Sequence, residues 1–176
     1  NSYTPFEYDQ GSANLFAYKM EYADTTRRPI FHYLLMANSG NEDGSISGAG
    51  IAEVNGNDLM LTMGGWGLSL DDQTSQNVTN NYQASTIFHE LGHNLGSSHT
   101  HACVWGGSGD QAIDCCGADA GYPSGSCSDG CSAGLPTNGG TIMSYCHLIS
   151  DVGINLLQGF GLQPGNLIRN RVADAS

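Results

Sequence analysis

The stretch HELGHNLGSSHTH, residues 89–101, holds four of the chain's six histidines: His89, His93, His99 and His101. On a helix, residues four apart share a face. His89 and His93 therefore point the same way, one turn apart, and can offer two nitrogens to one metal. Glu90 is offset by one residue and can flank such a site without ligating. Gly96 can take a positive φ, end the helix and turn the chain sharply, which brings His99 back as a third nitrogen. Three histidines with one position left open is the arrangement of a catalytic zinc, whereas structural zinc is closed by four protein ligands. Zinc brings the pKa of a bound water towards neutrality, and a nearby carboxylate can take the proton. A lone histidine is more often an ordinary surface or core residue. Here three imidazoles, a glutamate and a glycine fit one template of helix, turn and return.

The chain around this stretch is acidic, with 17 acids against 5 bases and a net charge of −12. That balance argues against nucleic acid or an anionic membrane as partner, because phosphates need Lys and Arg. No apolar run approaches the roughly twenty residues of a membrane span. Charged residues make up only 12% of a chain with 25 glycines, a composition that reads as secreted. Six cysteines agree: Cys103, Cys115, Cys116, Cys127, Cys131 and Cys146. In an oxidising compartment they form three disulfides of open connectivity. Buried thiols or a second metal site are the competing readings. The spacing Cys127-x-x-x-Cys131 permits a metal, but no second pair at zinc-finger spacing accompanies it. No signal peptide stands at Asn1, so a secreted chain is expected to be a mature or trimmed form. Asn77-Val78-Thr79 is a glycosylation sequon, relevant in a eukaryotic secretory pathway.

A length of 176 residues suits one domain. From Ser12 to Ala23, Phe16, Tyr18, Met20 and Tyr22 alternate with polar residues, a cleaner match than the helical set Leu15, Tyr18 and Tyr22, so a strand is expected. Ile30 to Ala37 is a compact apolar run and predicts a buried strand. Residues 38–47 have turn chemistry. Gly50 to Val54 and Asp58 to Met63, separated by Asn55-Gly56-Asn57, predict a hairpin. Asn80 to Leu95 predicts the main helix, with Ile87, Leu91 and Leu95 as its apolar stripe. From Gly96 the chain is Gly-rich, loop-rich and cysteine-bearing, and a short helix near 164–172 closes it, with Pro164 near its start.

HELGHNLGSSH, residues 89–99, fits the pattern H-E-x-x-H-x-x-G-x-x-H and resembles the metzincin metallopeptidases. Residues 141–146, TIMSYC, follow a Gly139-Gly140 turn, and Met143 fits the methionine of the metzincin Met-turn. The tail GINLLQGFGLQPGNLIRNRV resembles that of bacterial reprolysin-like, adamalysin-related proteases. Thr100 stands where adamalysins typically place Asp, and Tyr145 where they usually have Pro. A Met-turn Tyr is similar to that of astacins, serralysins and pappalysins.

The resemblance implies an α+β metzincin-like fold. A mixed twisted sheet with its active-site helix occupies an upper part, about 1–96. An irregular, disulfide-stapled part with the Met-turn follows, about 97–176, and the two form one catalytic domain. It implies zinc on His89, His93 and His99, Glu90 as general base and acid, and Tyr145 as a fifth ligand or oxyanion donor, with a packed aromatic as the alternative for Tyr145. Met143 is a packing residue and Gly96 the turn. It further implies hydrolysis of internal peptide bonds in proteins and an inhibitory propeptide in the precursor. Substrate would add as a strand around Asp58 to Gly65. Leu148, Ile149, Ile154, Leu156 and Leu157 would give a hydrophobic P1′ preference. The competing class is a zinc-bearing binding or adhesion domain of the same fold without catalysis, which loss of the glutamate would signal. His101, two residues past the motif, reads either as a support behind the metal ligands or as a solvated side chain, with the solvated reading preferred; His147 and His32 read as structural. Glu42-Asp43, Asp71-Asp72 and Asp129 could hold calcium, against the default of a solvated acidic surface.

Overall fold

The apolar run after Pro29 forms β1, His32–Met36, in a computed structural model of the chain that describes residues 32–36, 50–52, 54–55, 58–62, 76–122, 127 and 130–174. The expected strand at 12–23, the loop at 38–47 and the acidic pairs Glu42-Asp43 and Asp71-Asp72 lie outside these residues, as does Asp129. The chain divides into two compact units, Asn1–Asn94 and Leu95–Ser176.

In the first unit the expected hairpin is present. β2, Gly50–Ala52, pairs antiparallel with β3, Asp58–Thr62, placing Ile51 opposite Met60. Asn55 in the connection takes φ 61°, a left-handed conformation that Asn adopts more readily than most residues. β3 also pairs parallel with β1, Leu34 opposite Met60, so the sheet order is β1-β3-β2. The sheet is therefore mixed. Among the described residues β3 is the middle strand, hydrogen-bonded on both sides, which corrects the expectation of a free edge over Asp58–Thr62; the rest of the expected edge, to Gly65, lies outside the described residues. Among the described strands the edges are β1 and β2. Edge position is set by tertiary pairing and leaves no mark on a strand's own alternation.

Helix α1, Gln76–Asn94, begins four residues before the expected start. Gln76-Asn77-Val78-Thr79 contains three weak helix formers, so local propensity alone does not place the start there; α1 as a whole packs on β2 and β3. The apolar stripe is only half-buried at Ile87, Leu91 and Leu95, while Glu90, His93 and Asn94 are buried. The helix thus buries its motif-bearing polar line more deeply than its aliphatic one. At its end the Asn55 amide donates to the His93 carbonyl at 3.0 Å, satisfying one of the carbonyls a helix terminus leaves without an internal partner.

The second unit has little regular structure. α2 is Cys116–Asp119 and α3 is Leu162–Asp174; 3-10 turns lie at Cys146–Leu148 and Leu156–Gln158. Pro164 sits in the first turn of α3, where a missing amide costs nothing. α3 buries Pro164, Gly165 and Ile168 and exposes Leu162 and Val172. The apolar core among the described residues is small: Trp105, Cys115, Cys116, Ile142, Met143, Cys146 and Ile168. Covalent staples support it, Cys103–Cys127, Cys115–Cys131 and Cys116–Cys146. Each closes a loop of 16 to 30 residues, and loops of that size are stabilised by roughly 3 kcal/mol per bridge. All six cysteines are consumed, so Cys127 and Cys131 belong to separate disulfides and to no metal site.

Candidate metal centre

α1 carries His89 and His93 one turn apart, with ring centroids 4.8 Å from each other and planes at 84°. The helix stops at Asn94, and Gly96 takes φ 94°. A residue with a Cβ is strained there. Three residues later comes His99. His89, His93 and His99 each present one ring nitrogen, and these nitrogens lie within 4.8 Å of one another. A donor set of three imidazoles suits zinc, leaving room for a further ligand. A second grouping, Asp114 with Cys116 and Cys146, is no metal site, because the two sulfurs are bonded to each other.

Glu90 is buried, 6% exposed, beside the first of these histidines. Burial pushes its carboxyl up from 4.5 to about 8. A carboxylate removed from water loses hydration that no neighbour replaces.

The loop after His99 is anchored through its backbone. The His99 carbonyl accepts from the Trp105 indole Nε1 at 2.8 Å and from the Ala102 amide at 3.1 Å. Thr100, 1% exposed, donates from its amide to the Met143 carbonyl at 3.1 Å. Its own carbonyl accepts from Ile113 at 2.7 Å. Met143 is fully buried, and its carbonyl ties the Met-turn segment to the residue following His99. Tyr145, two residues on, stands with its ring 4.5 Å from that of His99.

His101 is buried rather than solvated, at 3% exposure. Its ring stacks on His99 at 5.0 Å and 11° and lies 4.7 Å from that of Tyr145. Burial lowers its pKa, opposed by the nearby Asp114 carboxylate. His147 is exposed, its ring 5.8 Å from that of Tyr145. Tyr122, half-exposed, meets Tyr145 edge-on at 5.4 Å.

The motif names neither Trp105 nor Thr100 as a support of the loop, and it leaves a supporting role for His101 as the less favoured expectation. Trp105 is one of only two tryptophans and closely follows the motif, which is a usable signal. The slot that buries His101 depends on residue 117, which nothing near the motif announces.

A family model described as metallo-peptidase family M12 matches residues 7–151 of the chain. No curated protein and no solved structure matches it.

Proposed function

The chain belongs to metallo-peptidase family M12, and from that premise we propose that it is a secreted zinc metalloendopeptidase of metzincin-like α+β fold. It cuts internal peptide bonds of protein substrates. The observation that carries this reading is the convergence of the His89, His93 and His99 nitrogens beside a buried glutamate. Zinc, when bound by these three histidines, supplies Lewis acidity to the site.

Glu90 accepts the proton of the attacking water and returns it to the leaving amine. Burial holds this proton up to about 8 in the metal-free protein; a cation bound beside the carboxyl would favour its ionised form, which accepts the water's proton, while burial favours passing the proton on. The Tyr145 phenol, beside His99, donates a hydrogen bond to the oxyanion that develops at the scissile carbonyl. Because β3 is paired on both sides, the substrate adds its backbone to β2 instead, with main-chain hydrogen bonds giving affinity. After the Met-turn, Leu148, Ile149, Ile154 and Leu156 are partly exposed and favour a hydrophobic P1′ side chain. Leu157, 98% exposed, stands off from them. Three disulfides support an oxidising compartment. No helix among the described residues is long and apolar enough to cross a membrane.

The test is cleavage of casein and of a peptide library. Cleavage is lost with a chelator and with Glu90→Ala, and the library's cut sites report the P1′ preference. A wild-type protein that binds zinc and cuts no peptide refutes the protease reading and leaves the binding-domain class.

A further inference from the structure

The His101 imidazole is costly as placed. It is 3% exposed, and its Nδ1 is buried without a hydrogen-bond partner. An unsatisfied polar atom of this kind has given up its hydration without a bond in return. What its ring contacts suggests the reason for keeping it there. The plane lies 11° from that of His99 at 5.0 Å, an offset stack. Elsewhere the ring presses on the backbone of Gly117, where a Cβ would fall 2.3 to 2.5 Å from Cγ, Cδ2 and Nδ1. The slot is therefore one ring thick and open only because residue 117 has no side chain. Its walls are fixed. Gly117 follows Cys116, which is bonded to Cys146, the neighbour of Tyr145. Tyr145 touches both imidazoles. Thr100, between the two histidines, is tied to Met143.

We infer that His101 is a positioning residue, whose ring, wedged between Gly117 and His99, sets the plane in which the His99 nitrogen meets the metal. The inference rests on the reading of His99 as a metal ligand. The ring face carries the role and the nitrogens do not. Phenylalanine at 101 therefore substitutes for it, while a flexible aliphatic side chain does not. Groups that orient a metal-ligating histidine typically contribute ten- to a hundredfold in metal affinity.

The test measures zinc affinity by competition with a chromophoric chelator, and the visible absorption of the cobalt-substituted protein. Both are run on the full chain as wild type, His99→Ala, His101→Phe, His101→Leu, His101→Ala, Gly117→Ala and the double variant His101→Ala/Gly117→Ala. His101→Leu and Gly117→Ala each weaken zinc binding about ten- to a hundredfold and alter the cobalt spectrum. His101→Phe binds like the wild type. In the double variant the added methyl no longer meets a ring, so the clash term vanishes and it binds no more weakly than His101→Ala alone. Near-UV circular dichroism in chelator identifies any variant that does not fold. The cobalt spectra of His101→Phe and of whichever of the Leu and Gly117 variants folds then decide the matter. Wild type that binds no zinc, or His99→Ala that binds as wild type does, removes the metal reading and this inference together. Normal wild type and weakened His99→Ala, with His101→Leu and Gly117→Ala unchanged, keeps the metal reading and overturns the inference alone. So does a His101→Phe variant as weak as His101→Leu.

Discussion

The Met143 carbonyl oxygen accepts two hydrogen bonds from Thr100, one from the amide at 3.1 Å and one from the hydroxyl at 3.3 Å. The residue after His99 is in this way held against the Met-turn at a point where both partners are almost wholly buried. Thr100→Val keeps the amide bond and the shape and removes only the hydroxyl. Stability in urea is expected to fall by about 1 kcal/mol, the usual net worth of one such bond. An unchanged unfolding midpoint would show that the hydroxyl contributes nothing.

Gly96 is the hinge through which the chain leaves α1, at φ 94°. An L side chain in that region costs roughly 1–2 kcal/mol. Gly96→Ala is expected either to lose that much stability or to relax the turn and withdraw His99. In the second case zinc affinity drops; in the first the strain appears as a lower unfolding midpoint. Isothermal titration with zinc and urea unfolding check it, and wild-type affinity together with wild-type stability in Gly96→Ala counts against the turn as the device that delivers His99.

The local parts of this architecture were legible in the sequence. Four-residue spacing on a helix places His89 and His93 on one face, and a glycine after the last turn permits the return to His99. The hairpin followed from alternation around Asn55-Gly56-Asn57. The rest depends on partners far along the chain. β3 is a central strand because β1 pairs with it across more than twenty residues, which its own side chains do not announce. The start of α1 at Gln76 runs against the weak helix propensity of Asn77, Val78 and Thr79. His101 stands two residues past the motif, a position that suits a solvated side chain as well as a support behind the metal ligands. Its burial is created by Gly117 and Tyr145, sixteen and forty-four positions away. Disulfide pairing, too, is a property of the folded backbone, and spacing alone leaves it open.

Cys116–Cys146 is fully buried and joins α2 to the segment of the Met-turn. Cys103–Cys127 is only partly buried and joins two positions outside any helix or strand. Removing the first as the double alanine variant is expected to cost roughly 2–5 kcal/mol and to weaken zinc binding, since α2 carries Gly117. Removing the second costs stability and leaves zinc binding intact. Equal effects of the two pairs on zinc affinity would sink the distinction.

Glu90 makes a pH signature of the metal-free protein. Its carboxyl is held at about 8 by burial, against 4.5 when solvated. Between those values the folded chain keeps a proton that the unfolded chain has released. Unfolding free energy therefore falls as pH rises. The stabilisation is complete below 4.5 and is lost by about pH 8, a swing of order a few kcal/mol for a shift of this size. Glu90→Gln has no proton to lose. In chelator its stability is expected to lack this decline and to exceed that of the wild type at pH 8, while casein cleavage in the zinc-loaded protein falls by about a hundredfold or more through loss of the general base. Urea unfolding at pH 5, 6.5 and 8 with chelator present reads the difference. Parallel pH profiles for the two proteins would mean that Glu90 is ionised when metal-free, and would remove burial as the cause of its proposed fitness for proton transfer.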